Sequence, residues 1–193
     1  MSCALTQDYE IGCDESFGGI STIYLIEKEN ITVEYSNGSV VTLVKSAGKY
    51  YRKYDIQEHT GEGKEIVALN SQNGTSNTKQ TIMFPLNGLS STIGEEISKL
   101  SSNRLNIILI DNNGVGFMYG ADFGMRLVST STATGKSLLD RNGYDFVFES
   151  DEKTEALFVD SSLISSLQTP GIQTYFTING SSFLINGNSF IIN

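Results

Sequence analysis

The stretch "LNIILIDNNGVGFMYG", residues 105–120, decides how this chain is read. Ile107 to Ile110 form an apolar run, Asn113-Gly114 offers turn residues, and Val115 to Tyr119 carry the chain back. Asn and Gly tolerate the positive φ of tight hairpin turns, so this pair between apolar runs reads as a β-hairpin. The same grammar extends in both directions. Upstream, "ISTIYLIEK" (residues 20–28), "ITVEY", "SVVTLVK" after Asn37-Gly38, "IVALN" and "TKQTIMFPL" read as strands. "SQNGTSN" reads as a turn, and the glycine-punctuated "QEHTGEGKE" (residues 57–65) as a loop. Downstream, "MRLVSTS" and "YDFVFES" read as strands joined by "TATGKSLLDRNG".

One segment breaks this pattern. In "TIGEEISKLSSN", Ile93, Ile97 and Leu100 fall at i, i+4 and i+7, which is one helical stripe. Thr92 with Glu95 fits a capping box, Glu95 and Glu96 suit the positive N-terminal end, and Asn103 is a stop residue. The expected fold is mainly β: an antiparallel sandwich or barrel of two packed sheets, one short flanking helix over about residues 92–103, and a C-terminal meander. The domain expected is residues 1–160, with residues 161–193 as linker and meander. Asp151, Glu152 and Glu155 read as a charged, solvated link between them.

The meander rests on "QTYFTINGSSFLINGNSFIIN", in which Phe-x-Ile-Asn recurs three times at an interval of seven. If Asn179-Gly180 and Asn186-Gly187 are two-residue turns, Phe176 faces Phe183 and Phe183 faces Phe190. That is an aromatic row on three strands, each cross-strand pair contributing roughly 0.2–1 kcal/mol. So small a sheet needs a surface to lie on. The chain's own body is one such surface and a neighbouring subunit is the other.

Composition narrows the partners. The chain has 193 residues, enough for one good core. Lysine and arginine number 13 against 22 acidic residues, a net charge of −9, which repels nucleic acid and anionic membranes. No run approaches the length of a membrane-spanning helix, and the acidic N-terminus lacks the apolar core of a secretory signal. Cys3 and Cys13 are read as reduced thiols rather than a disulfide framework or a zinc site.

Catalytic patterns fail on inspection. "TATGKS" resembles the end of a phosphate-binding loop, but the first glycine that loop needs is replaced by Thr130, and strands lie on both sides. His59, the single histidine, sits in a polar loop with no nucleophile placed near it. "KYYRKY" mixes Lys49, Arg52 and Lys53 with tyrosines as single-strand binders do, but a half-buried strand face accounts for it equally and suits the net charge better. The expectation is a protein that is not an enzyme and uses no metal or cofactor.

Three stretches carry a family resemblance. "GGISTIYLIEKENI", "IGEEISKLSSNRLNIILIDNNGVGFMYG" and "LVSTSTATGKSLLDRNGYDFVFESDE" together resemble tail-tube proteins of phages and prophages of the Bacteroides-Flavobacterium type. The three stretches fall between residues 18 and 152, a span of about two thirds of the chain, and leave out the terminal meander. It implies two packed sheets with a flanking helix, six copies per ring, and stacked rings through which the genome passes without being held. It implies a protein made in the host bacterial cytoplasm and built into the virion tail, with other tail proteins as neighbours. Candidate subunit-interface residues are Phe176, Phe183 and Phe190, and His59, Gly61 and Gly63 in a polar segment (residues 57–77) expected to order between subunits. Asp151, Glu152 and Glu155 are candidates for an acidic lumen or surface. A capsid-decoration or neck protein is the structural rival; a carbohydrate-binding or hydrolytic β-sandwich is the rival from another class.

Overall fold

The structure, a computed structural model, describes residues 16–70, 72–170, 174–178 and 181–185. In chain order the elements are β1 (Ile20–Glu27), β2 (Ile31–Ser36), β3 (Ser39–Lys45), β4 (Arg52–Asp55), β5 (Glu62–Asn70) and β6 (Thr75–Asn87). Then follow α1 (Ser91–Ser102), β7 (Leu105–Asp111), β8 (Gly116–Tyr119), β9 (Arg126–Ala133), β10 (Gly143–Glu152) and β11 (Leu157–Val159). The last are α2 (Ser161–Ser166), β12 (Thr174–Ile178) and β13 (Ser181–Ile185). One sheet has seven strands in the order β2-β3-β11-β8-β7-β1-β4, and a second has four in the order β5-β6-β10-β9. Both sheets are open, so the fold is a sandwich and not a closed barrel. Pairing is antiparallel except between β11 and β3.

The strand β7 sits inside the larger sheet between β8 and β1, which explains its unbroken apolar run. Leu105, Ile107 and Leu109 face the smaller sheet, where they meet Ile82 and Phe84 of β6 and Phe146 and Phe148 of β10. Ile108 points the other way, into a second core with Met118, Tyr51, Leu157 and Leu167. Period-2 alternation along β6 and β10 places Phe84 opposite Phe146 across the ladder, with ring centroids 5.4 Å apart and Phe148 stacked 5.8 Å from Phe84. Offset aromatic contacts of this kind are worth about 0.5–1.5 kcal/mol beyond burial. The polar member of β7, Asn106, is fully buried and fully used: its Oδ1 accepts from the Tyr51 hydroxyl at 2.6 Å, and its Nδ2 donates to the carbonyls of Tyr119 and Gly120 at 3.2 Å.

The Asn-Gly signals divide into two mechanisms. Asn37 and Gly38 both adopt positive φ (51° and 76°) and link β2 to β3 in the two-residue turn. At residues 111–115 only Gly114 is left-handed (φ 82°). The Gly114 amide donates to the Asp111 carbonyl and the Asp111 amide to Val115, while the Asp111 carboxylate accepts from the amides of Asn113 and Val115. This is a three-residue loop with a glycine bulge.

Several expectations are corrected. The segment read as a loop over residues 57–65 is strand from Glu62 onward, paired to β6 from Glu62–Met83 to Asn70–Thr75. That pairing is made within one chain. Helix α1 begins earlier than its periodicity suggests: Ser90 is the N-cap, its Oγ accepting from the Ile93 amide at 3.2 Å, and its first turn holds no acidic residue. The Thr92–Glu95 capping box is therefore not formed, although Ile93, Ile97 and Leu100 do pack on the core as one stripe. Residues taken for a link hold β11 and α2. Leu163, Ile164 and fully buried Leu167 pack on the second core, so the packed body runs past residue 160.

The strands β12 and β13 form their own two-stranded sheet with the register read from the sequence: Phe176 opposite Phe183, Thr177 opposite Ser182, Ile178 opposite Ser181. The third strand of the expected meander, with Phe190, lies outside the described residues. Among the described residues, no helix is long and apolar enough to cross a membrane.

Candidate functional site

Among the described residues, the four-stranded sheet ends on both sides in an unpaired strand: β9 bonds β10 alone, and β5 bonds β6 alone. An edge strand presents a row of free amides and carbonyls to any other strand, and soluble proteins usually guard such edges with Lys, Pro or short length. After Arg126, β9 reads "LVSTSTA", with no charge and no proline. Residues 128–133 are all exposed, Val128 among them at 53%. The edge is interrupted by one bulge, on β9 itself, where Val128 is the extra residue between Ser129 opposite Val147 and Leu127 opposite Phe148; the rest of the edge is extended. On β5, Glu62, Lys64 and Glu65 guard the first half, and Ile66, Val67 and Leu69 stand exposed in the second. Helix α1 lies against β9 with its apolar stripe on the core, and α2 packs on the far face of the larger sheet.

The candidate residues distribute around this sheet. Gly63 lies in β5 where a Cβ would stand 2.7 Å from Leu109 Cδ2 and 3.0 Å from the Tyr119 hydroxyl. Gly61 is buried, 3.1 Å from Ile56 by the same measure. Gly61, just before β5, and Gly63 within it let the chain approach the core closely, a packing reason for glycines in a segment that reads as a loop. His59 is an exposed turn residue with positive φ (61°). Asp151 is exposed and accepts from the Asn77 side chain, and Glu155 is exposed in the turn that follows β10.

Glu152 does not belong to a solvated acidic surface. It is 2% exposed, faces inward, and accepts from the backbone amides of Asp122 (2.8 Å) and Phe123 (3.0 Å) and from the Ser150 hydroxyl. It pins the β8–β9 loop to the end of β10. The nearby Lys28 ammonium is pulled below its ordinary range by burial, with the charges of Glu152 and Asp122 acting in the opposite direction.

The two lures of the sequence also resolve. In "TATGKS" the amides of Lys136 and Ser137 donate to the Asp140 carboxylate at 2.7 and 2.9 Å, the place a phosphate would need. Those bonds hold the Asp140 carboxyl below the usual carboxylate range. The tyrosine-rich segment borders a groove of about 800 Å³ between β1, α1 and residues 48–54. Its cations are largely occupied: Lys53 pairs with Asp55 at 2.7 Å, Lys99 with Glu96 at 3.0 Å, and Arg52 stacks 4.2 Å from the Tyr50 ring. Tyr51, just before β4, is wholly buried.

Among the described residues, no group of three or more His, Cys, Asp or Glu is arranged to hold a metal ion. Comparison with known protein families, with curated proteins and with solved structures finds no match to this chain in any of the three.

Proposed function

We propose that this chain is a self-assembling virion structural protein, a subunit of a phage tail tube, and not an enzyme. The observation that carries the reading is the four-stranded sheet whose two edges are unpaired among the described residues, one of them free of charge and proline beyond Arg126 and interrupted only by the bulge at Val128. Its strands alternate in direction and are even in number. Under rotational symmetry, β9 of one copy therefore meets β5 of the next in antiparallel sense, and repetition closes a ring-shaped barrel without any edge left over. The outer face of the sheet would line that barrel. It mixes signs, with Lys79 paired to Glu149 at 3.0 Å and Asp145 and Asp151 beside them. A mixed lining on a chain of net charge −9 suits passage of DNA without retention. The uncharged C-terminal strands add a second source of intersubunit pairing.

The test places a guard on the edge. Val128→Lys with Thr130→Lys adds charge to exposed positions of β9 and should leave the melting temperature of the monomer unchanged while abolishing assembly in sedimentation. A wild-type chain that assembles only on a preformed capsid would favour the decoration reading. Double-lysine variants that assemble like wild type would remove the edge as the contact.

A further inference from the structure

Two apolar patches stand at opposite ends of the four-stranded sheet. At one end, Gly143 pairs with Asn87 and Ala133, and the β9–β10 loop projects beyond them. Its Leu138 and Leu139 are 105% and 98% exposed. This loop has internal structure: Gly135 turns it at φ 75°, and the Asp140 carboxylate ties down two of its amides. At the other end β10 stops at Glu152, opposite Thr78, while β5 and β6 run on to Asn70 and Thr75. That overhang carries Leu69, 79% exposed, with Val67 at its base.

Charge follows the same axis. Lys136 stands beside the leucine pair and makes no ion pair among the described residues. Asp151 and Glu155 stand exposed at the overhang end and make none either. Each end carries both signs, but the Asp140 carboxylate is taken up by the Lys136 and Ser137 amides and the Lys153 ammonium lies over the Phe123 ring at 5.2 Å, which leaves Lys136 at one end to meet Asp151 or Glu155 at the other.

We propose that the Leu138–Leu139 loop of one copy docks on the β5–β6 overhang of a second copy of this chain, head to tail along the strand direction. This rests on the tube reading above and supplies its axial contact. A contact between unlike ends that displaces each copy along the strand direction does not close on itself, so it repeats into an open stack. Repeated around a ring, modest individual contacts combine through effective concentration. The sideways edge contact makes the ring and the end-to-end contact makes the stack.

The experiment uses the full chain with Cys3 and Cys13 replaced by Ser. Leu138→Cys and Leu69→Cys are made separately, mixed before assembly and oxidised. A covalent dimer should form in the mixture and in neither variant alone. Self-linking of Leu138→Cys by itself would mean that like ends meet, and would overturn the proposal, as would stacks that yield no cross-link. In parallel, Leu138→Ser with Leu139→Ser should leave single rings and an unchanged melting temperature but no stacks. Lys136→Glu should shorten stacks, and adding Asp151→Lys should restore them. A wild-type chain that stays monomeric removes the tube reading and this contact together; rings that stack with both leucines replaced remove this contact alone.

Discussion

Glu152 shows how a single residue can be misplaced by its neighbours in sequence. Followed by Lys153 and Glu155, it looks like part of a solvated charge cluster. The alternation of "FVFES" continues for two more residues, however, and puts Phe148, Ser150 and Glu152 on the inner face with Glu149 and Asp151 outside. Carrying that period to the end of the strand would have found the burial. Hydrogen bonds to a charged group contribute roughly 1.5–3 kcal/mol each, and Glu152 holds two backbone amides. Glu152→Ala should therefore lower stability by about 3 kcal/mol in urea unfolding, whereas Asp151→Ala should change it by less than about 0.5 kcal/mol. Tyr119 gives a second residue-scale test. Burial, with the Glu65 charge adding to it, pushes its phenol from an ordinary 10 up to about 12. The unfolded chain ionises this group first, so its contribution is intact below pH 10 and is lost as pH rises from there through about 12. Tyr119→Phe should make the alkaline decline in the urea midpoint shallower, and an unaltered slope would remove this group as its source.

At the level of elements, legibility followed how local the determinants are. The Asn37-Gly38 hairpin and the β12–β13 register could be read because turn chemistry fixes them within a few residues. The helix was found from its stripe, but its start was misjudged, since Ser90, Ser91 and Thr92 all present a capping hydroxyl and only packing chooses among them. The Tyr144 hydroxyl donates to the Ser90 carbonyl at 3.1 Å and so fixes the chain at that point. Ser90→Ala should cost the protein about 1 kcal/mol, and Thr92→Ala much less, in thermal unfolding. Equal losses would restore the later start. β11 and α2 were invisible for another reason. Three residues of strand and a six-residue helix rich in serine carry no usable period, and both exist because Leu157, Val159 and Leu167 are drawn into the second core.

At the scale of the whole molecule, two packed sheets with a flanking helix were legible, because alternating strands and one amphipathic stripe leave few other ways to bury apolar surface. Which strands would end unpaired was not, since sheet order depends on contacts between segments distant in sequence. The account turns on those ends: one sheet with two open edges, and apolar contacts at opposite poles of it. The most direct measurement is negative-stain electron microscopy of the purified full chain, with sedimentation of the same sample. The account predicts rings of uniform diameter that stack into hollow, open-ended tubes without any other protein present. A chain that remains monomeric in sedimentation at high concentration, and shows neither rings nor tubes on the grid, would contradict it.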